Sequence, residues 1–110
     1  MGASEDFEYT VTKSSGLATV SVRGEIDAAT GPSLTEAVNA LTHDGVSRLV
    51  IDLDHVTFID SRGLSALLES HRAVTARDMT FAVVNPQPSV QRLLRMTGVD
   101  AVLSDGDAET

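Results

Sequence analysis

Apolar and polar positions alternate over Phe7-Glu8-Tyr9-Thr10-Val11-Thr12 and again over Leu17-Ala18-Thr19-Val20-Ser21-Val22-Arg23, with the turn cluster Lys13-Ser14-Ser15-Gly16 between them. A period of two in β-branched and aromatic residues predicts strands, and the short polar break joins them as a hairpin. The period then changes. Gly24-Glu25-Ile26-Asp27 leads to Thr30-Gly31-Pro32, a helix start with proline near the first position, and Leu34, Ala37, Val38 and Leu41 recur at helical spacing until Asp44-Gly45. Arg48 to Leu53 is a near-continuous apolar run, as in a strand covered on both faces. A short turn after it presents Asp60 and Ser61, and a second helix opens at Gly63 with Leu64, Leu67, Leu68 and Val74 on one face.

Thr80-Phe81-Ala82-Val83-Val84 reads as a further strand, cut off by Asn85-Pro86-Gln87-Pro88. Val90, Leu93 and Leu94 mark a third helix closed by Gly98, and Ala101-Val102-Leu103 is expected as a short final strand. Strands alternate with helices from residue 17 onward. The expected class is α/β, a mixed and mostly parallel β-sheet with one antiparallel edge, packed against α-helices. With 110 residues the chain makes one domain, its core over about 7–104 and its ends, 1–6 and 105–110, flexible.

Composition narrows the functions. Eight basic residues against sixteen acidic ones give a net charge of −8, which argues against nucleic acid and against an anionic membrane surface. A partner with a basic face suits it better. The chain has no cysteine, so disulfides, thiolate metal sites and thiol catalysis are absent together. Met1 to Asp6 lacks the basic start and apolar stretch of a signal peptide, and no apolar run reaches the roughly 20 residues of a membrane helix. A cytoplasmic protein is expected.

The candidate chemistry sits at the second helix start. A hydroxyl there lies where backbone N–H groups point outward and the dipole favours negative charge, good geometry for a phosphorylatable serine. Catalysis fits poorly. Ser61 lacks a Gly-x-Ser-x-Gly elbow, because Ile59 stands where the first glycine belongs. His43, His55 and His71 show no metal-ligand spacing, and no phosphate-cradling glycine loop is present. The chain reads as no enzyme, with no cofactor and no metal.

Three patterns resemble the STAS domain family, and within it the bacterial anti-sigma factor antagonists. They are Gly24-Glu25-Ile26-Asp27, the longer Asp52-Leu53-Asp54-His55-Val56-Thr57-Phe58-Ile59-Asp60-Ser61, and the late helix Val90 to Val99 with its Gly98-Val99 pair. The resemblance covers nearly the whole chain. It implies a single STAS domain in a partner-switching pathway, with Ser61 as the phosphoacceptor of an anti-sigma factor that is also a serine kinase and supplies the ATP. The unphosphorylated form is then the one that binds the anti-sigma factor and frees a sigma factor. Phosphorylation switches binding off, and a metal-dependent protein phosphatase resets it. The recognition surface falls on Asp27, Asp60, Ser61, Arg62, Gly63, Ser65 and Glu69, and the free form is expected to be a monomer.

Arg62 departs from the hydroxyl residue common after the serine in such proteins, leaving a guanidinium to pair with Asp60, with a phosphate on Ser61 or with the partner. Plainer roles exist for the same residues. Ser61 suits a helix N-cap, Asp27 a turn or cap, Ser65 a neutral helix surface, and Glu69, Arg72 and Arg77 a solvated face. Two other functions share the fold: a scaffold or adaptor subunit of a signalling or transporter complex without a phosphoswitch, and a module that binds a nucleotide or lipid.

Overall fold

The computed structural model of the chain describes residues 7–103. Strands β1 (Glu8–Ser14) and β2 (Leu17–Ile26) form the expected antiparallel hairpin, with Ser14 paired to Leu17. That pairing leaves a two-residue turn, and both of its residues, Ser15 at φ 51° and Gly16 at φ 84°, take the left-handed conformation that matches the strands' twist. Helix α1 (Gly31–Leu41) follows, then β3 (Arg48–Ile59), α2 (Ser61–Thr75), β4 (Thr80–Val84), α3 (Pro88–Met96) and α4 (Val99–Leu103). The sheet order is β1-β2-β3-β4, antiparallel between β1 and β2 and parallel elsewhere. This is the mixed α/β sheet that the periodicity predicts.

One face of the sheet carries the core. Ala18, Val20 and Val22 of β2 and Leu49, Ile51 and Leu53 of β3 are buried, while Thr19, Ser21, Val50 and Asp52 between them are only half-buried. Leu34 and Val38 of α1, Leu64, Leu67 and Val74 of α2, Val90 and Leu94 of α3, and Val99 and Leu103 of α4 join the same cluster. The continuous run in β3 thus packs fully on one side only. An ion pair between Lys13 and Asp44 ties the hairpin to the loop after α1.

Three expectations need correction. Ala101-Val102-Leu103 lies in α4, where Val99 and Leu103, four residues apart, turn the same helical face into the core while Ala101 and Val102 stay exposed. The break after Leu53 is not a turn, because β3 runs on to Ile59. Register against β2 shifts between Ser21 and Arg23 and again between Gly24 and Glu25, each shift placing one extra residue in β3. Buried positions therefore pass from Leu49, Ile51 and Leu53 to Val56 and Ile59, at a spacing of three, and the alternation disappears. Helix α2 begins at Ser61, two residues before Gly63. The end segments 1–6 and 105–110 lie outside the described residues. No described helix is long and apolar enough to cross a membrane.

Candidate functional site

Strands β2 and β3 end side by side, with Ile26 paired to Ile59, and each feeds a helix at that end of the sheet. After β2 the chain folds into a tight loop pinned by Asp27. Its Oδ1 accepts from the Ala29 N–H at 3.0 Å and the Thr30 N–H at 3.1 Å. Thr30 is buried, and its hydroxyl donates to the Glu25 carbonyl at 2.7 Å and accepts from the Asp27 N–H at 2.9 Å. The Asp27 carbonyl takes the Gly31 N–H at 2.7 Å, which launches α1. Pro32 follows in the first turn, where no backbone donor is needed.

After β3 the helix starts more abruptly. Asp60 is extended (φ −114°, ψ −169°) and is itself the N-cap of α2, its Oδ1 accepting from the Gly63 N–H at 2.9 Å. Ser61 is therefore the first helical residue. Its side chain is exposed, and the capping role that sequence allows it belongs to its neighbour. The hydroxyl stands at the positive end of a 15-residue helix with no cap bond to hold it. Ser65 donates to the Ser61 carbonyl at 3.1 Å.

Gly63 lies underneath this surface rather than on it. A Cβ there would run into the Ile26 carbonyl oxygen and stand 2.6 Å from Ile59 Cγ1, so the first turn of α2 lies against the ends of both strands. Gly31 sets the second close approach. A Cβ on it would be 3.2 Å from Ala66 Cβ, so the starts of α1 and α2 touch. Between the two helices runs a groove of about 270 Å³ lined by Asp27, Pro32, Thr35, Arg62, Ser65 and Glu69, among others.

Four of the seven expected recognition residues, Asp27, Arg62, Ser65 and Glu69, thus share one groove. Asp60 and Ser61 form the turn beside it, and Gly63 is buried. Arg62 is exposed, and no salt bridge or hydrogen bond holds its guanidinium among the described residues. It does not pair with Asp60. A profile of the STAS domain matches residues 8–107. The chain belongs to the STAS domain family.

Its relatives include the anti-sigma-F factor antagonist RsfB of Mycobacterium tuberculosis, 33% identical over 100 residues and covering 91% of this chain and 81% of the relative. The crystal structure of an anti-sigma factor antagonist from Mycobacterium paratuberculosis superposes with a TM-score of 0.80 at 34% identity, over 94% of this chain and 87% of that one. SpoIIAA in its unphosphorylated form superposes at 0.74 with 17% identity, over 86% and 84% of the two chains, a likeness of fold alone.

The recognition surface expected of this STAS domain from sequence leaves out Thr30, Gly31, Pro32 and Thr35. The proline was legible as a helix start, but the buried hydroxyl of Thr30 and the contact at Gly31 exist only once two loops and two helices meet. The histidines take separate places. His43 Nδ1 lies 2.7 Å from Arg77, His71 packs edge-on to Phe81 with ring centroids 5.6 Å apart, and His55 is exposed on β3. Among the described residues no group of three His, Cys, Asp or Glu side chains is placed to hold a metal ion.

Proposed function

We propose that this STAS domain is an anti-sigma factor antagonist whose binding is switched off by phosphorylation of Ser61. The observation that carries the reading is the exposed Ser61 hydroxyl at the first position of α2, left free because Asp60 supplies the cap. A kinase reaches such a hydroxyl without unfolding anything. The names of the relatives support the same reading, since they are antagonists of anti-sigma factors. The unphosphorylated domain binds an anti-sigma factor and so releases a sigma factor. The anti-sigma factor is the serine kinase and brings the ATP, and a protein phosphatase returns the domain to its binding form.

Electrostatics explains why a single group is enough. A phosphate adds roughly −1.5 to −2 charges at neutral pH. Within the domain this charge is tolerated, because the helix N-terminus favours anions and the exposed Arg62, without a side-chain partner among the described residues, stands next in sequence. At an interface the dianion must be desolvated and meets any partner carboxylate that had accepted the hydroxyl proton. A loss of about 3 to 4 kcal/mol weakens binding a few hundredfold. The switch acts at the surface and leaves the fold alone.

The test is affinity capture with the wild type and Ser61→Asp side by side, followed by titration of the retained anti-sigma factor with ATP present. The wild type is expected to retain a kinase and to gain one phosphoryl group at Ser61 by mass spectrometry. Ser61→Asp is expected to retain none of it, and amide spectra away from the turn to superpose. If both forms hold the same assembly without a kinase, the domain is a scaffold and the switch is wrong.

A further inference from the structure

Two residues before Asp60, the Phe58 side chain stands 48% exposed, more than any other phenylalanine or the tyrosine among the described residues. Its position follows from the topology. β4 stops at Val84, paired with Asp52, so the last stretch of β3 has no strand on that side and α3 lies along it instead. The result is a depression of about 240 Å³ lined by Thr57, Phe58 and Ile59 of β3 and Ser89, Val90 and Leu93 of α3, with no charged residue. On α3, Ser89, Arg92, Leu93 and Met96 follow the i, i+3, i+4, i+7 spacing of one helix face, beside the buried Val90 and Leu94. Met96 is 75% exposed, one turn beyond Leu93.

Single exposed apolar side chains are ordinary. Here two elements bring Phe58 and Leu93 to one depression that ends at Ile59, the residue before the Asp60 cap, with Met96 one turn further along the same face of α3, and aromatics and methionine are the residues enriched at the centres of interfaces. Charge points to the occupant. The chain carries −8 overall, yet no acidic residue lies between Asp78 and Asp100. Arg92 borders this strip of Phe58, Leu93 and Met96, exposed and without a salt bridge or hydrogen bond among the described residues.

We infer that Phe58, Leu93 and Met96 form a second half of the partner-binding surface, which takes an apolar side chain of the anti-sigma factor flanked by acidic residues that meet Arg92. The inference rests on the function proposed above and adds the chemistry of the contact. Ser61 decides whether binding is allowed. The strip supplies affinity.

The anti-sigma factor retained by the wild-type chain, produced pure, is the probe, titrated calorimetrically against Phe58→Thr, Met96→Ser, Arg92→Glu, Ser61→Asp and a distant Asn39→Ala control. Phe58→Thr is expected to weaken binding at least tenfold and Met96→Ser about threefold, in keeping with an aromatic anchor and its rim. Arg92→Glu is expected to weaken it about fivefold and to flatten its salt dependence, which a merely structural role would not do. Met96 is so exposed that its replacement leaves the fold intact, and melting curves check the others. If all three strip variants bind within twofold of wild type while Ser61→Asp fails, the strip is not part of the interface and the Ser61 reading stands. If the wild type binds no anti-sigma factor, both fall. A wild-type dimer seen by sedimentation and abolished by Phe58→Thr would assign the strip to a second copy and overturn the inference.

Discussion

The two strand-to-helix junctions at the end of the sheet use similar residues for different ends. After β2, Asp27 Oδ1 and the Thr30 hydroxyl are both spent on bonds within the loop, which largely satisfies itself. After β3, Asp60 holds the cap, and the side chains of Ser61 and Arg62 have no partner among the described residues. The first junction is a buttress and the second a display. A hydroxyl used as a cap would be buried in its own hydrogen bond, so an aspartate just before it is what makes Ser61 available. Gly63, two residues on, is held as firmly as Ser61 is free.

The largest expected effect breaks the display from below. Gly63→Ala drives a Cβ into the Ile26 carbonyl and the Ile59 side chain, neither of which is a flexible chain end. Overpacking against backbone should cost about 3 kcal/mol. For a chain of this size that is a fall in melting temperature of about 10 °C or more, and a melt within 2 or 3 °C of wild type (roughly half a kcal/mol) would show that α2 lifts away freely. Next comes the buttress. Asp27→Ala leaves the Ala29 and Thr30 amides without their acceptor in a half-buried loop, at about 2 kcal/mol. Faster hydrogen exchange confined to those two amides and Gly31 is the expected signature.

Much of this architecture is legible in the sequence because the elements that matter are long enough to show a period. The hairpin, α1, α2, β4 and α3 all follow from spacing and turn residues. What escaped has a physical reason in each case. The tail of β3 hides because its two register shifts replace alternation with a spacing of three over Val56 and Ile59. Ala101 to Leu103 is too short to have a period, and its helix is fixed by Val99 and Leu103 packing into the core. At the site, Asp60 and Ser61 are both good caps by residue type, and only the extended backbone at Asp60 decides between them. Gly63 reads from sequence as part of a surface, and the steric contact that buries it is visible only in three dimensions.

A smaller effect separates the two residues of that choice. Asp60→Ala removes the acceptor for the Gly63 N–H and should cost about 1 kcal/mol, whereas Asp60→Asn keeps an acceptor and most of the stability. The expected shift for the alanine variant is about 4 °C in melting temperature. A null result there, with a loss on Ser61→Ala instead, would return the cap to the serine and remove the argument for a free hydroxyl.

Ser61→Ala is the smallest expected change in stability and the sharpest test of the comparison. An exposed first-turn residue with no cap bond should tolerate alanine within about 0.5 kcal/mol. Ser61→Asp belongs in the same range, because a carboxylate at a helix N-terminus is welcome. The two variants therefore melt alike and must differ only in what they bind. Ser61→Ala is expected to capture the anti-sigma factor as the wild type does and to take no phosphate, and Ser61→Asp to let it go. Equal capture by both would mean that charge at this position is not read by any partner, and the exposed hydroxyl would then be an ordinary solvated side chain on a well-capped helix.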